Sequence, residues 1–416
     1  MQLQRITVAA LGAVGILGTL LAPVSTAATT PQRSGGAPAS TTASASTSAS
    51  TSATITIADC TELDRQLPAL AKTAQTANTA KASKDEALAA CDAPATEEEA
   101  TAQLKTPAAK ELLAANPCGT NPNKGWKFTS RGRACNPESR LINVRNVRTG
   151  QLVGQLSYLS VGMVAARGDS LTWDQVVSMR KTGGWGRVGG TSVYGVGRCA
   201  SADKCTTRFT NFPMQRMGEG RTNEGQWKMR STIDPKGKER GKGQNRATVV
   251  FFNPGWVNVS QHDLTSASVR CDSIRNMGRG GVGAGCVLPE YWPTMTEMKQ
   301  FPYISQGIRK VQRVGPHHYG RKTGAHPNPL VYTSNGAIRK ANNETACPAN
   351  RPRPPGQTCD EYPFASTLQG ASRTQWPDWG WRWVPKNEND RQGYQIRTFY
   401  DNNRILNGDR FWVDAG

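Results

Sequence analysis

The ten cysteines, at 60, 91, 118, 135, 199, 205, 271, 286, 347 and 359, constrain this chain more than any other feature. They fall into sequential couples, and the chain opens like an exported one. Arg5 supplies a positive start, Ile6 to Leu21 form an apolar run, and Ser25-Thr26-Ala27 offers a small-x-Ala cleavage site. The run is short for a membrane span, which needs roughly 20 apolar residues, and no second such segment follows. An even cysteine count in an exported chain reads as disulfides. The spacing predicts the pairs Cys60–Cys91, Cys118–Cys135, Cys199–Cys205, Cys271–Cys286 and Cys347–Cys359, each closing a short loop and each contributing about 2–4 kcal/mol. A metal-site reading of the cysteines is weak. There is no CxxC, and the four histidines, at 262, 317, 318 and 326, form no HExxH-like pattern. A secreted protein with no stable membrane association after cleavage, acting as a monomer, is the expectation.

Five regions follow from composition. Residues 1–27 are the signal peptide, and 28–54 a Ser/Thr/Ala-rich linker too poor in apolar bulk to offset the entropy of ordering. Residues 55–116 are Ala- and Leu-rich, a composition that favours helix, with Cys60 and Cys91 placed to staple two helices into a hairpin. Residues 117–293 have the texture of a β-rich, sandwich-like domain. Short apolar runs such as RLINVRNV, QLVGQLSYLSVGMV and ATVVFFNPGWVNV alternate with glycine-dense turns. Residues 294–416 mix helix and strand signals and are expected to form an α+β domain. The net charge is +20, of which +15 falls between 121 and 300. A basic middle of this kind suits a polyanionic partner, nucleic acid or anionic wall polymer, as well as a merely solvated surface.

One motif in the β-rich region is misleading. Gly278 to Gly283 satisfies GxGxxG, but a dinucleotide site needs a strand before it and a helix after it. Ala284-Gly285-Cys286 and then Val-Leu-Pro follow instead, so the segment reads as a glycine-rich loop. Further on, FPYISQGIRKVQR predicts a helix opened by Pro302, with Ile304, Ile308 and Val311 at i, i+4 and i+7. AIRKANNETAC predicts another.

The chemistry concentrates near the C-terminus. In CDEYPFAS, Pro363 biases Tyr362 towards extended backbone and is suited to open a helix. Asp360 and Glu361 are therefore expected on extended chain, pointing to opposite faces. One of the two would meet a metal ion directly. The other would be a base, an orienting group or purely structural. Glu388 and Asn389 add an acid and an amide. Asn407-Gly408 between apolar runs predicts a hairpin turn. Trp376, Trp379, Trp381 and Trp383 cluster, and GWRWV alternates like a strand with one face in the core. The cluster is also a candidate stacking platform for single-stranded bases.

CDEYPFAST, then ENDRQG, then FYDNNRILNGDRFWV resemble the NucA/NucB family of secreted bacterial deoxyribonucleases, in particular its longer actinobacterial members with an N-terminal extension. The resemblance is close over roughly 300–416 and looser upstream. It implies metal-dependent cleavage of DNA by a compact α+β domain, with Asp360 in the key acidic role, Glu361 its motif partner, and Glu388 and Asn389 the acid-Asn pair. Gly307 stands where the family pattern has a histidine, and His317, His318 and His326 lie in the loop after it. Carboxylates and amides suit Mg²⁺ or Mn²⁺, and such an ion polarises phosphate and activates water. The resulting assignment has Asp360 and Asn389 on the ion and Glu361 or Glu388 taking the proton. Arg391, Gln392 and Arg404 would grip DNA, with Arg397 and Arg410 nearby, through phosphate contacts that read no sequence. The competing reading is a non-catalytic exported binder of DNA or anionic wall polymer with a disarmed nuclease fold, and the glycine at 307 favours it.

Overall fold

The structure, a computed structural model, describes residues 55–76, 87–116, 118–274 and 283–416. The leader, the linker and most of the GxGxxG segment lie outside the described residues. Among those described, no helix is long and apolar enough to cross a membrane.

Alternation builds the β-rich part. Along Thr222–Ser231, Asn223, Gly225, Trp227, Met229 and Ser231 point inward, while Thr222, Glu224, Lys228 and Arg230 face solvent. That strand sits in a seven-stranded antiparallel sheet. Its spatial order is Leu88–Pro94, Arg133–Asn146, Leu152–Ala166, Thr172–Gly186, Thr222–Ser231 and Cys205–Asn211, with Lys127–Ser130 added beside Arg133–Asn146. A five-stranded sheet runs Ile55–Ile57, Asn258–Thr265, Asn245–Phe252, Ser192–Cys199 and Gln215–Arg216. Both sheets contribute to one core, which includes Tyr158, Trp173, Trp227, Val249, Phe251 and Leu264. The density of glycine has a packing cause here. A Cβ on Gly195 would stand 2.3 Å from the Phe212 ring, and one on Gly225 2.2 Å from the same ring. Only glycine lets an aromatic ring lie so close to a strand.

Three helices precede and flank these sheets: α1 (Cys60–Thr76), α2 (Glu97–Leu104) and α3 (Pro107–Ala115). Thr96 and Glu99 close a capping box on α2, and Thr106 caps α3. The expected helical hairpin does not form. Cys91 lies on the strand Leu88–Pro94, so the Cys60–Cys91 disulfide ties α1 to a sheet instead. The cause is long-range. Ala89, Ala90 and Cys91 are fully buried, and the neighbouring Asp92 receives the Tyr158 hydroxyl at 2.7 Å and Arg140 Nε at 2.7 Å. Helix propensity gives way to a strand that pairs along Arg133–Asn146 over its full length.

The C-terminal part has its own core, built around Phe301, Ile304, Ile308, Tyr332, Phe399 and Phe411. It carries α4 (Pro302–Val314), α5 (Gly336–Ala346) and α6 (Lys386–Asn402). The strand Arg410–Val413 pairs with Thr294–Met295 and Leu330–Val331, and Gln357–Tyr362 pairs antiparallel with Gly380–Pro385. Two local expectations change. No helix opens at Pro363, where the chain instead makes turns such as Thr367 N–H to Phe364 O at 2.9 Å. Asn407-Gly408 turns the chain between α6 and Arg410–Val413 rather than joining two strands, because the residues before it stay helical to Asn402. Gly408 there has φ +90°, a conformation suited to glycine.

A buried ionic cluster joins the two parts. Asp409 accepts from Arg131 at 2.6 Å and from Arg270 at 2.7 Å. Arg404 pairs with Asp272 and donates to the carbonyls of Gly168 (2.8 Å) and Gly283 (2.6 Å). Burial alone would raise the Asp409 carboxyl, but Arg270 and Arg131 outweigh it and hold it below the ordinary aspartate range. All five sequential disulfides are formed: Cys60–Cys91, Cys118–Cys135, Cys199–Cys205, Cys271–Cys286 and Cys347–Cys359.

Candidate active site

The strand Gln357–Tyr362 carries Asp360 and Glu361 in opposite directions, as the pleat requires. Asp360 opens into a cavity of about 780 Å³ walled by α4, by the strand pair and by the loop that holds Trp376 and Trp379. It is only 6% exposed. Burial, and then the charge of Glu361, push its carboxyl well above the usual range, against the smaller opposing pull of Gln392 and Arg382. Glu361 is half-buried on the other side, where Asn343 of α5 lies 3.5 Å away. Its own carboxyl is raised by burial. The Cys347–Cys359 disulfide ties the end of α5 to this strand next to Asp360.

Helix α6 supplies the remaining motif residues. Gln392 is buried and abuts Asp360 instead of standing free for substrate. Glu388 lies one helical turn earlier on the same side of α6. One of its oxygens accepts the Ile304 N–H at 2.9 Å, one of the free donors at the start of α4. Asn389 donates its side-chain amide to the Cys359 carbonyl at 3.4 Å. Arg391 is exposed and lies over the Phe301 ring at 5.5 Å.

Arg404 requires a correction. It is 2% exposed and fully engaged with Asp272 and two carbonyls, so it cannot reach DNA phosphates. The cations that do line the cavity are Arg309, Lys310, Arg313, Arg321 and Arg382. Most lie on or just after α4, where a run of basic residues was visible in the sequence, but nothing local showed which of them face inward.

Gly307 also lines this cavity, and its role follows from Arg382. A Cβ at Gly307 would meet Arg382 Cδ at 2.9 Å, so the arginine fills the space a side chain would take. Arg382 lies opposite Asp360 in the strand pair and donates to Tyr303 O (2.7 Å) and Gln306 Oε1 (2.9 Å). Gly307→Ala alone is expected to be close to neutral, because the gain of about 0.5–1 kcal/mol from removing a mid-helix glycine is offset by displacing Arg382. In an Arg382→Ala background the same change should stabilise by that full amount in urea unfolding. Equal effects in both backgrounds would show that Arg382 does not crowd the position.

Of the three loop histidines, His317 has a feature not legible in the sequence. Asp378 accepts both its backbone N–H (2.9 Å) and its Nδ1 (2.5 Å), and the imidazole stacks on Tyr319. The neighbours of Asp378 line the cavity. His318 Nδ1 is engaged with the Gln312 carbonyl at 2.8 Å, and His326 is exposed.

Among the described residues no three His, Cys, Asp or Glu side chains converge as a metal cage. A structural zinc site takes four such ligands. Mg²⁺ and Mn²⁺ make a different demand, since one or two carboxylates suffice when water and substrate phosphates complete the shell. A buried carboxylate at the wall of a roomy cavity fits an ion of that kind.

No curated protein matches the chain. Residues 319–414 match the family model for deoxyribonuclease NucA/NucB, and this stretch, which carries Asp360, the strand pair and α6, belongs to that family.

Proposed function

We propose that the protein is an exported, metal-dependent deoxyribonuclease that hydrolyses DNA phosphodiesters with little sequence preference. The observation that carries the reading is the placement of Asp360. Within the stretch that matches the nuclease family, it is a buried carboxylate at the wall of a cavity lined with cations. Five disulfides support an oxidising, extracellular setting.

Asp360 would hold the ion, and Glu388 is the second acid. One oxygen of Glu388 caps α4, and the other carries no hydrogen bond from a described residue. The ion, when bound, neutralises phosphate charge and lowers the pKa of water. Glu388 takes the proton of the attacking water. Glu361 points to Asn343 on the other side of the strand, and Glu388 is not a wall residue of the cavity either. The assignment of Glu388 rests on its unbonded oxygen and its place one helical turn before Gln392, which abuts Asp360. Asn389 holds the Cys359 carbonyl and so fixes the strand beside Asp360. Lys310, Arg313 and Arg321, each exposed and without a carboxylate partner among the described residues, draw in phosphates without reading bases.

Supercoiled plasmid incubated with the purified secreted protein should be nicked and then linearised in Mg²⁺ or Mn²⁺, and should survive intact in EDTA. Intact plasmid under every metal tested, with DNA still bound, would favour the non-catalytic binder.

A further inference from the structure

The cavity carries an aromatic feature that phosphate hydrolysis does not need. Trp376 is 65% exposed and lines the cavity beside Asp360. Its ring meets Trp379 edge-to-face at 5.9 Å, which supports it from one side and leaves ring surface open to solvent. The loop beneath is held firmly: Asp378 N–H bonds Gln375 O at 2.9 Å, and the Asp378 carboxylate is anchored on His317. Trp381 differs, because the Arg351 guanidinium sits 3.5 Å above its ring. Trp376 is thus the indole with area to offer, and it stands in a cavity whose cations Lys310, Arg313 and Arg321 lack acidic partners among the described residues.

We infer that this cavity takes an unpaired nucleotide, its base stacked on Trp376 and its phosphates on these cations, so that the substrate class is single-stranded or locally unpaired DNA. The inference rests on the reading of the cavity as the nuclease site. The physical reason is that a duplex buries its base faces in its own stack and presents phosphates outward. A surface meant for duplex phosphates gains nothing from an open indole. An unpaired base, by contrast, has a free π face, and stacking on an aromatic side chain strengthens binding whatever the base. A volume of about 780 Å³ leaves room for a nucleotide beside Asp360.

The test uses the full chain carrying Asp360→Asn in EDTA, with fluorescein-labelled oligonucleotides read by anisotropy at fixed salt. The probes are a single strand, the same strand as a duplex, and an abasic strand of equal length. The single strand should bind most tightly. Adding Trp376→Ala should weaken it roughly 5- to 100-fold, down to the level of the abasic strand, and leave the duplex unchanged. Trp376→Phe should keep most of the affinity. The inference is overturned if Trp376→Ala leaves single-strand affinity intact, if it weakens the duplex equally, or if the abasic strand binds as well as the normal one. The outcome is separable from the nuclease reading. Continued plasmid cleavage by Asp360→Asn in Mg²⁺ would remove Asp360 from catalysis without altering the binding comparison, and an inactive Asp360→Asn with no single-strand preference would overturn only the stacking inference.

Discussion

Replacing Arg404 by alanine is expected to destabilise the fold by about 3–5 kcal/mol, the cost of stripping one partner from a buried ion pair. Asp272, which is fully buried, would lose its partner, and the carbonyls of Gly168 and Gly283 would lose a donor. The loss should appear as a lower urea midpoint with little change in slope. Nicking activity would fall only as the folded fraction falls, since Arg404 is remote from solvent. If Arg404→Ala keeps its stability but binds DNA poorly, the residue belongs to substrate recognition after all. The same cluster predicts an acid limit. The Asp409 carboxyl is held below its unfolded value by Arg270 and Arg131. Its contribution is therefore present above the unfolded value near 3.9 and is lost as pH falls through the depressed folded value. Asp409→Asn should accordingly be less stable than the parent at neutral pH and approach it in acid.

Asp360→Asn is expected to lower plasmid cleavage by at least ~10²-fold, in line with the loss of a positioned acid-base or ion-holding group. It should also raise the Tm of the metal-free protein at neutral pH. The folded state pushes the Asp360 carboxyl up through burial and the neighbouring Glu361, so it binds that proton more tightly than the unfolded chain does. The stability from this group is complete below the unfolded value near 3.9 and is lost as pH rises through the raised folded value. Asparagine carries no charge to desolvate, so the variant should be the more stable of the two at pH 8 and converge with the parent near pH 4. Thermal unfolding in EDTA across that range, paired with plasmid nicking in Mg²⁺, reads both effects. Unchanged nicking would remove Asp360 from the chemistry. A Tm difference that does not depend on pH would show that its ionisation is not what strains the site. A protein that gives up stability at one acid for the sake of reaction should show the two changes together.

Much of this architecture was readable because its causes are local. Cysteine couples a few to a few dozen residues apart need little chain to meet, and all five form. Ile304, Ile308 and Val311 recur at helical spacing, and they bury one side of α4. Asp360 and Glu361 diverge because neighbouring residues on a strand must. The sequence by itself thus determined the disulfide couples, the apolar side of α4 and the opposite facing of Asp360 and Glu361. It did not determine the strand Leu88–Pro94, whose composition favours helix, nor which of the two acids meets the cavity.

Tertiary structure alone decided which side chains surround that pocket. Arg404 resembled a surface cation until Asp272, 132 residues earlier in the chain, covered it. Gln392 resembled a contact for DNA, yet it packs on Asp360. Arg382 fills the place beside Gly307, and Asp92 draws an alanine-rich segment into a sheet. In each case the deciding quantity is desolvation, and the groups that exclude water from a side chain come from distant parts of the chain.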